Sequence, residues 1–104
     1  MQIRFNDEYL QKIYSNQPVK GKPIFSTQVI LQFKKTVLKI KYAENTVELR
    51  QQKGLHFEAL KGDKKGLYSV RVNEQYRLEF KIKNDIITLI EIILIEHLSK
   101  HYDT

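Results

Sequence analysis

The chain contains no cysteine, which excludes a disulfide frame, a thiol nucleophile and a thiolate-ligated metal. It also lacks a long apolar run. The richest stretch, IITLIEIILI at 86–95, is well short of the roughly 20 residues that span a bilayer, and it carries Glu91. The opening MQIRFNDEY is too polar for a secretory leader, so no membrane association and a cytoplasmic location are expected. No serine sits in a nucleophile-elbow context, and GDKKG shares only composition with a phosphate loop. His97 and His101 are four apart with Glu96 beside them, a spacing that puts two imidazoles on one helical face. A third ligand at a recognisable distance is missing, so neither a metal site nor a cofactor is expected. Acidic residues are also scarce. Twelve Asp+Glu against 18 Lys+Arg leave a formal charge of +6, which favours polyanionic partners or an acidic protein, although excess lysine also serves solubility.

What is present suits one globular domain over 1–104. Hydrophobic content of 41% and aromatic content of 11% are too high for disorder, and no repeat or low-complexity segment interrupts the chain. QIRF at 2–5 reads as a short strand. Asn6 is placed to cap a helix of about two turns through Tyr14, with Asp7 and Glu8 near its positive end. Both prolines fall in the loop SNQPVKGKP, 15–23. Ser26 or Thr27 then starts a longer helix, in which Val29, Ile30, Phe33, Val37 and Ile40 follow the helical rhythm. Its basic face, with Lys34, Lys35 and Lys39, reads as solvated surface, with binding as the alternative.

Three of the four glycines lie in KGLHFEALKGDKKG, 53–66, a loop in which His56 beside Phe57 reads as packed. A hairpin follows in LYSVRVNEQYRLEF, 67–80, where alternating apolar residues flank a short polar turn. With 73–75 as the loop, Arg71 stands directly opposite Arg77, and like charges so placed repel. A shift of one pair would set Arg71 against Glu79 instead, as an ordinary ion pair. The pattern leaves both registers open. Residues 86–95 read as a central strand after a turn at Asn84-Asp85, with a buried helix as the alternative, and the polar tail EHLSKHYDT as a segment that could close over the sheet. The expected fold is α+β: two N-terminal helices packed on a small, mostly antiparallel sheet in the order β-α-α-β-β-β.

Metal-free phosphodiester cleavage is the chemistry these residues suit best. It needs a base for the 2′-hydroxyl, an acid for the leaving 5′-oxygen, and cations for the phosphorane between them. Opposed Arg71 and Arg77 would make an anion seat, with Lys61, Lys64 and Lys65 within reach from the preceding loop. Histidine suits the proton transfers, and Tyr68 and Tyr102 could stack on bases.

LKGDKKGLYSVRVNEQYRLEF at 60–80, followed by an apolar strand and a terminal LSKHYD, resembles the HigB toxins, the plasmid-maintenance killer branch of the RelE/ParE superfamily. The close match covers about the C-terminal half; over 1–50 it lies in the order of elements. The resemblance implies a RelE-like fold and a ribosome-dependent mRNA endonuclease that works without metal. It also implies silencing by a HigA-type antitoxin with a helix-turn-helix domain, through which alone the complex meets DNA. Carried over by residue, it places Lys61 near the scissile phosphate, Arg71 and Arg77 around the cleft, and His101 in an acid–base role. Ser99 and Lys100 precede His101 where some members have an acidic residue and a tyrosine, and Tyr102 follows it, so His97 stands as the second candidate. Two other classes fit the same composition: a ParE-like gyrase poison, which needs no histidine, and a non-catalytic RNA- or protein-binding module.

Overall fold

The structure is a computed structural model that describes residues 1–100 of the chain. Its elements are β1 (Gln2–Phe5), α1 (Glu8–Tyr14), α2 (Thr27–Tyr42), α3 (Thr46–Gln51), β2 (Glu58–Ala59), β3 (Tyr68–Arg71), β4 (Tyr76–Asn84) and β5 (Glu91–Lys100). The fold is α+β with a mostly antiparallel sheet, as the sequence pattern implies. It has one helix and one strand more than that pattern shows.

Each helix begins where a side chain accepts one of its unpaired N–H groups. Asp7, one residue beyond the expected Asn6, caps α1 by accepting from the Leu10 N–H at 2.9 Å. Ser26 Oγ does the same for Val29 at 3.2 Å, and Asn45 Oδ1 for Glu48 at 2.9 Å. The last of these starts α3, which is too short for a periodic signal.

The five strands run in the order β1-β5-β4-β3-β2. β1 lies parallel to β5, and every other pair is antiparallel. Phe33, Val37 and Ile40 of α2 and Leu10 and Ile13 of α1 share one core with Val70, Leu78, Phe80, Ile93 and Ile95 from the sheet. Burying each such side chain contributes roughly 1.5–3 kcal/mol. Phe5, Tyr14 and Phe33 continue this core as a run of ring contacts with centroids 5.3 and 6.4 Å apart.

The strand after the hairpin differs from its expected limits. Residues 86–90 form a turn, and the strand begins at Glu91 and takes in EHLSK, which therefore does not fold over the sheet. Asp85 closes that turn. Its Oδ1 accepts from the N–H groups of Ile87 (2.9 Å) and Thr88 (3.2 Å), and its own N–H donates to the Ile90 carbonyl. These bonds satisfy backbone groups locally and leave Ile86, Ile87 and Leu89 pointing outward.

A β-bulge divides β5. Glu79 pairs with His97 and Phe80 with Ile95, so Glu96 is an extra residue with no counterpart on β4. Ile93 and Ile95 face the helices, and strict alternation would send residues 97 and 99 the same way. The bulge reverses the parity. Leu98 turns into the core, and His97 and Ser99 turn to the face the helices leave open. Among the described residues no helix is long and apolar enough to cross a membrane.

Candidate functional site

The hairpin adopts the register that opposes the two arginines. Tyr68 pairs with Phe80, Ser69 with Glu79, Val70 with Leu78, and Arg71 with Arg77. Val70 and Leu78 are fully buried under the helices, so their alternate neighbours Ser69, Arg71, Arg77 and Glu79 lie on the open face. The neighbouring strand adds His97 opposite Glu79 and Ser99 opposite Arg77.

The two guanidiniums are held differently. Arg77 Nη1 donates to Ser69 Oγ at 3.0 Å and to the His56 carbonyl at 3.4 Å, and lies 3.4 Å from Glu58 Oε1. Arg71 Nη1 lies 3.3 Å from His56 Nε2, and no carboxylate among the described residues pairs with it. His56 thus touches both arginines, one through its ring and one through its backbone. An arginine can only donate, so the ring contact is a hydrogen bond while Nε2 carries a lone pair. To make both contacts His56 takes φ +46° and ψ 54°, the left-handed region that costs a residue with a Cβ.

Below the arginines sits a buried acid. Glu79 is only 4% exposed, and its Oε2 accepts from Lys64 Nζ and from Ser99 Oγ, each at 2.7 Å. These bonds tie the lysine loop and the end of β5 to the centre of the same face. Oε1 of that carboxylate is buried and finds no hydrogen-bond partner among the described residues. An unpaired oxygen of this kind is costly, and it adds local negative potential beside the two cations.

Arg71, Arg77, Lys64 and His97 therefore share one face, with Lys64 anchored to Glu79. Lys61 and Lys65 instead border a cavity of about 440 Å³, together with Leu60, Leu67 and Tyr68. Tyr68 is on the opposite face of the hairpin from the arginines, with its ring 5.5 Å from Phe57 and 6.3 Å from Phe80. His97 lies on a strand, so the helical spacing inferred for His97 and His101 does not apply there. His101 and Tyr102 lie outside the described residues. His56, expected to be packed, is exposed and central to the cluster. Its signal lies in space rather than in its neighbours. Ser69 and Glu79 were legible, since they share the parity of Arg71 and Arg77 in the hairpin sequence.

This face can seat an anion between two planar, permanently charged forks, with histidine rings at its border. A model of the HigB-like toxin family, described as the RelE-like toxin of the type II toxin–antitoxin system HigB, matches residues 3–93. The chain is 36% identical to Toxin HigB-1 of Vibrio cholerae over 81 residues, 78% of this chain and 83% of the relative. It is 33% identical to an uncharacterised protein of Haemophilus influenzae, also over 81 residues and 78% of each chain. In fold it is similar to a YoeB/ParE toxin from Agrobacterium tumefaciens, with a TM-score of 0.57 and 13% identity, over 98% of this chain and all of that one.

Proposed function

We propose a function from one premise: this chain belongs to the HigB-like family, the RelE-like toxins of type II toxin–antitoxin systems. Its partner is accordingly an antitoxin. Our reading is that the toxin cleaves mRNA on the ribosome and so stops translation in the cytoplasm. The observation that carries this reading is the direct opposition of Arg71 and Arg77 on an open sheet face.

Two like charges held across a ladder are unfavourable until an anion lies between them. A phosphodiester is such an anion, and its charge grows as the 2′-oxygen attacks phosphorus. The O2′–P bond forms, the P–O5′ bond breaks, and a 2′,3′-cyclic phosphate and a 5′-hydroxyl result. Arg71 and Arg77 bind the non-bridging oxygens through this change, with Lys64 on the same face and Lys61 and Lys65 along the flanking backbone. His101 moves the proton, with His97 as second candidate, and Tyr102 contacts bases, while Tyr68 packs on the opposite face of the hairpin. No step calls on a metal. The antitoxin carries a helix-turn-helix domain of HigA type, so the complex meets operator DNA only through that partner.

The test is primer extension on a defined mRNA, with and without ribosomes, comparing wild type with Arg77→Ala and His101→Gln. Cuts should need ribosomes. Removing one stabilising donor should lower their rate about 100-fold or more in Arg77→Ala. His101→Gln should slow cleavage with ribosome binding intact. Folded wild-type protein that makes no cuts, or full activity in Arg77→Ala, would refute the reading and leave gyrase inhibition or simple RNA binding.

A further inference from the structure

α2 has a second apolar face. Phe33, Val37 and Ile40 are fully buried on the side turned to the sheet. Leu31, Leu38 and Tyr42 lie on the opposite side, 54%, 39% and 78% exposed. At about 100° per residue these three positions fall within about 40° of one another, a continuous seam along the helix. Lys34 and Lys41 border it on one side, and Lys35 and Lys39 on the other. α2 contains no acidic residue, and among the described residues none of the four lysines is in an ion pair. Where the seam ends, Leu38, Lys39 and Tyr42 border a depression of about 350 Å³ closed by Glu48 of α3 and by Gln52 just after it.

An apolar stripe between two rows of cations is the complement of one particular shape: an amphipathic helix with a row of apolar side chains flanked by aspartates and glutamates. Nucleic acid would match the lysines but leave the leucines and the ring uncovered. A second copy of this chain would match the apolar stripe but set lysine rows against lysine rows. We propose that the outer face of α2 is the docking surface for the antitoxin, and that the antitoxin seats there an acidic amphipathic helix with one apolar side chain in the depression beside Tyr42. The proposal rests on membership of the toxin family and not on the nuclease reading.

The test uses the full-length toxin and its purified cognate antitoxin, with affinity measured by calorimetry at low and high salt. The variants are Leu38→Glu with Tyr42→Glu, and separately Lys35→Glu with Lys39→Glu. All four positions are on the surface, and thermal melting checks the fold. The seam pair should lose roughly 100-fold in antitoxin affinity, as truncated interface anchors do. The lysine pair should lose roughly 10-fold at low salt, with the loss shrinking as salt rises. Ribosome-dependent cleavage by both free variants should match wild type. Affinities within twofold of wild type for both pairs would overturn the proposal. So would a seam pair that loses cleavage but keeps the antitoxin, which would assign the face to the ribosome. A wild-type dimer that the seam pair converts to monomer would assign it to self-association. Wild-type protein without nuclease activity would refute the nuclease reading and leave the antitoxin titration able to decide this one.

Discussion

Arg71→Gln should make the free protein more stable and the toxin inactive. Directly opposed like charges cost about 0.2–1 kcal/mol. Glu58, Ser69 and the His56 carbonyl offset the charge of Arg77, whereas among the described residues Arg71 has only the His56 ring at 3.3 Å. That contact is partly solvated and contributes about 0.5 kcal/mol. Removing the guanidinium forfeits the contact and relieves the repulsion, and at the upper end of that repulsion the net gain is about 0.5 kcal/mol at low salt. In a domain of this size 1 kcal/mol shifts Tm by about 4–8 °C, so the expected rise is at most about 2–4 °C. Calorimetric melts at about 10 mM and about 1 M salt check the origin, since screening over this range shortens the Debye length from about 30 Å to about 3 Å. The gain should fade at high salt. Inorganic phosphate should raise the wild-type Tm more than that of the variant, since it binds the native seat. A Tm below wild type at low salt, or a gain indifferent to salt, would refute the idea that the arginines hold each other in tension.

Three further outcomes follow from other parts of the molecule. Leu78→Ala removes a fully buried side chain beneath the arginines and should cost about 2–5 kcal/mol in denaturant unfolding, enough to abolish folding or nearly so. His56→Gly relieves a left-handed backbone. Its stability should be unchanged or raised by up to about 1 kcal/mol, and any loss of cleavage then reports the ring itself. Asp85 concerns pH: hydrogen bonds from the Thr88 and Ile87 N–H groups hold its carboxyl below the ordinary value of 3.8. A depressed folded value contributes stability above the unfolded pKa and loses it as pH falls through the folded one. Asp85→Asn should therefore flatten the acid limb of the stability profile below about pH 4, and an unchanged limb would show the turn does not depend on the charge.

The hairpin was legible because its two halves alternate strictly, and the arginine pair followed from that parity once the register was known. The register itself was not. Arg71 could face Arg77 or Glu79 with equal local sense, since both registers keep Val70 and Leu78 on one face, and the observed one is closed by Asn73, whose Oδ1 accepts from the Gln75 and Tyr76 N–H groups. The 86–95 run misled for a related reason. Isoleucines there look alike whether buried in β5, as Ile92, Ile93 and Ile95 are, or displayed on a turn, as Ile86 and Ile87 are. Asp85 makes that difference through two short hydrogen bonds. α3 and β2 are six and two residues long, too short for any period to show. His56 carries no signal in its sequence neighbours, because its significance comes from a left-handed backbone that turns it onto residues of β3 and β4.

The order of the strands also sets an order in time. β3, β4 and β5 follow one another through the turns at 73–75 and 85–90, so their pairings close short loops and form early. β1 must cross nearly the whole described chain to lie beside β5, and a parallel pairing of that span is a late event. The arginine pair itself lies on two of the early strands. A chain still waiting for β1 would already present its paired arginines, while the β1 edge of β5 lay unpaired beside a run of isoleucines. Such an intermediate combines a finished working surface with an adhesive edge. The speed with which β1 arrives therefore governs how long newly made toxin is prone to aggregate.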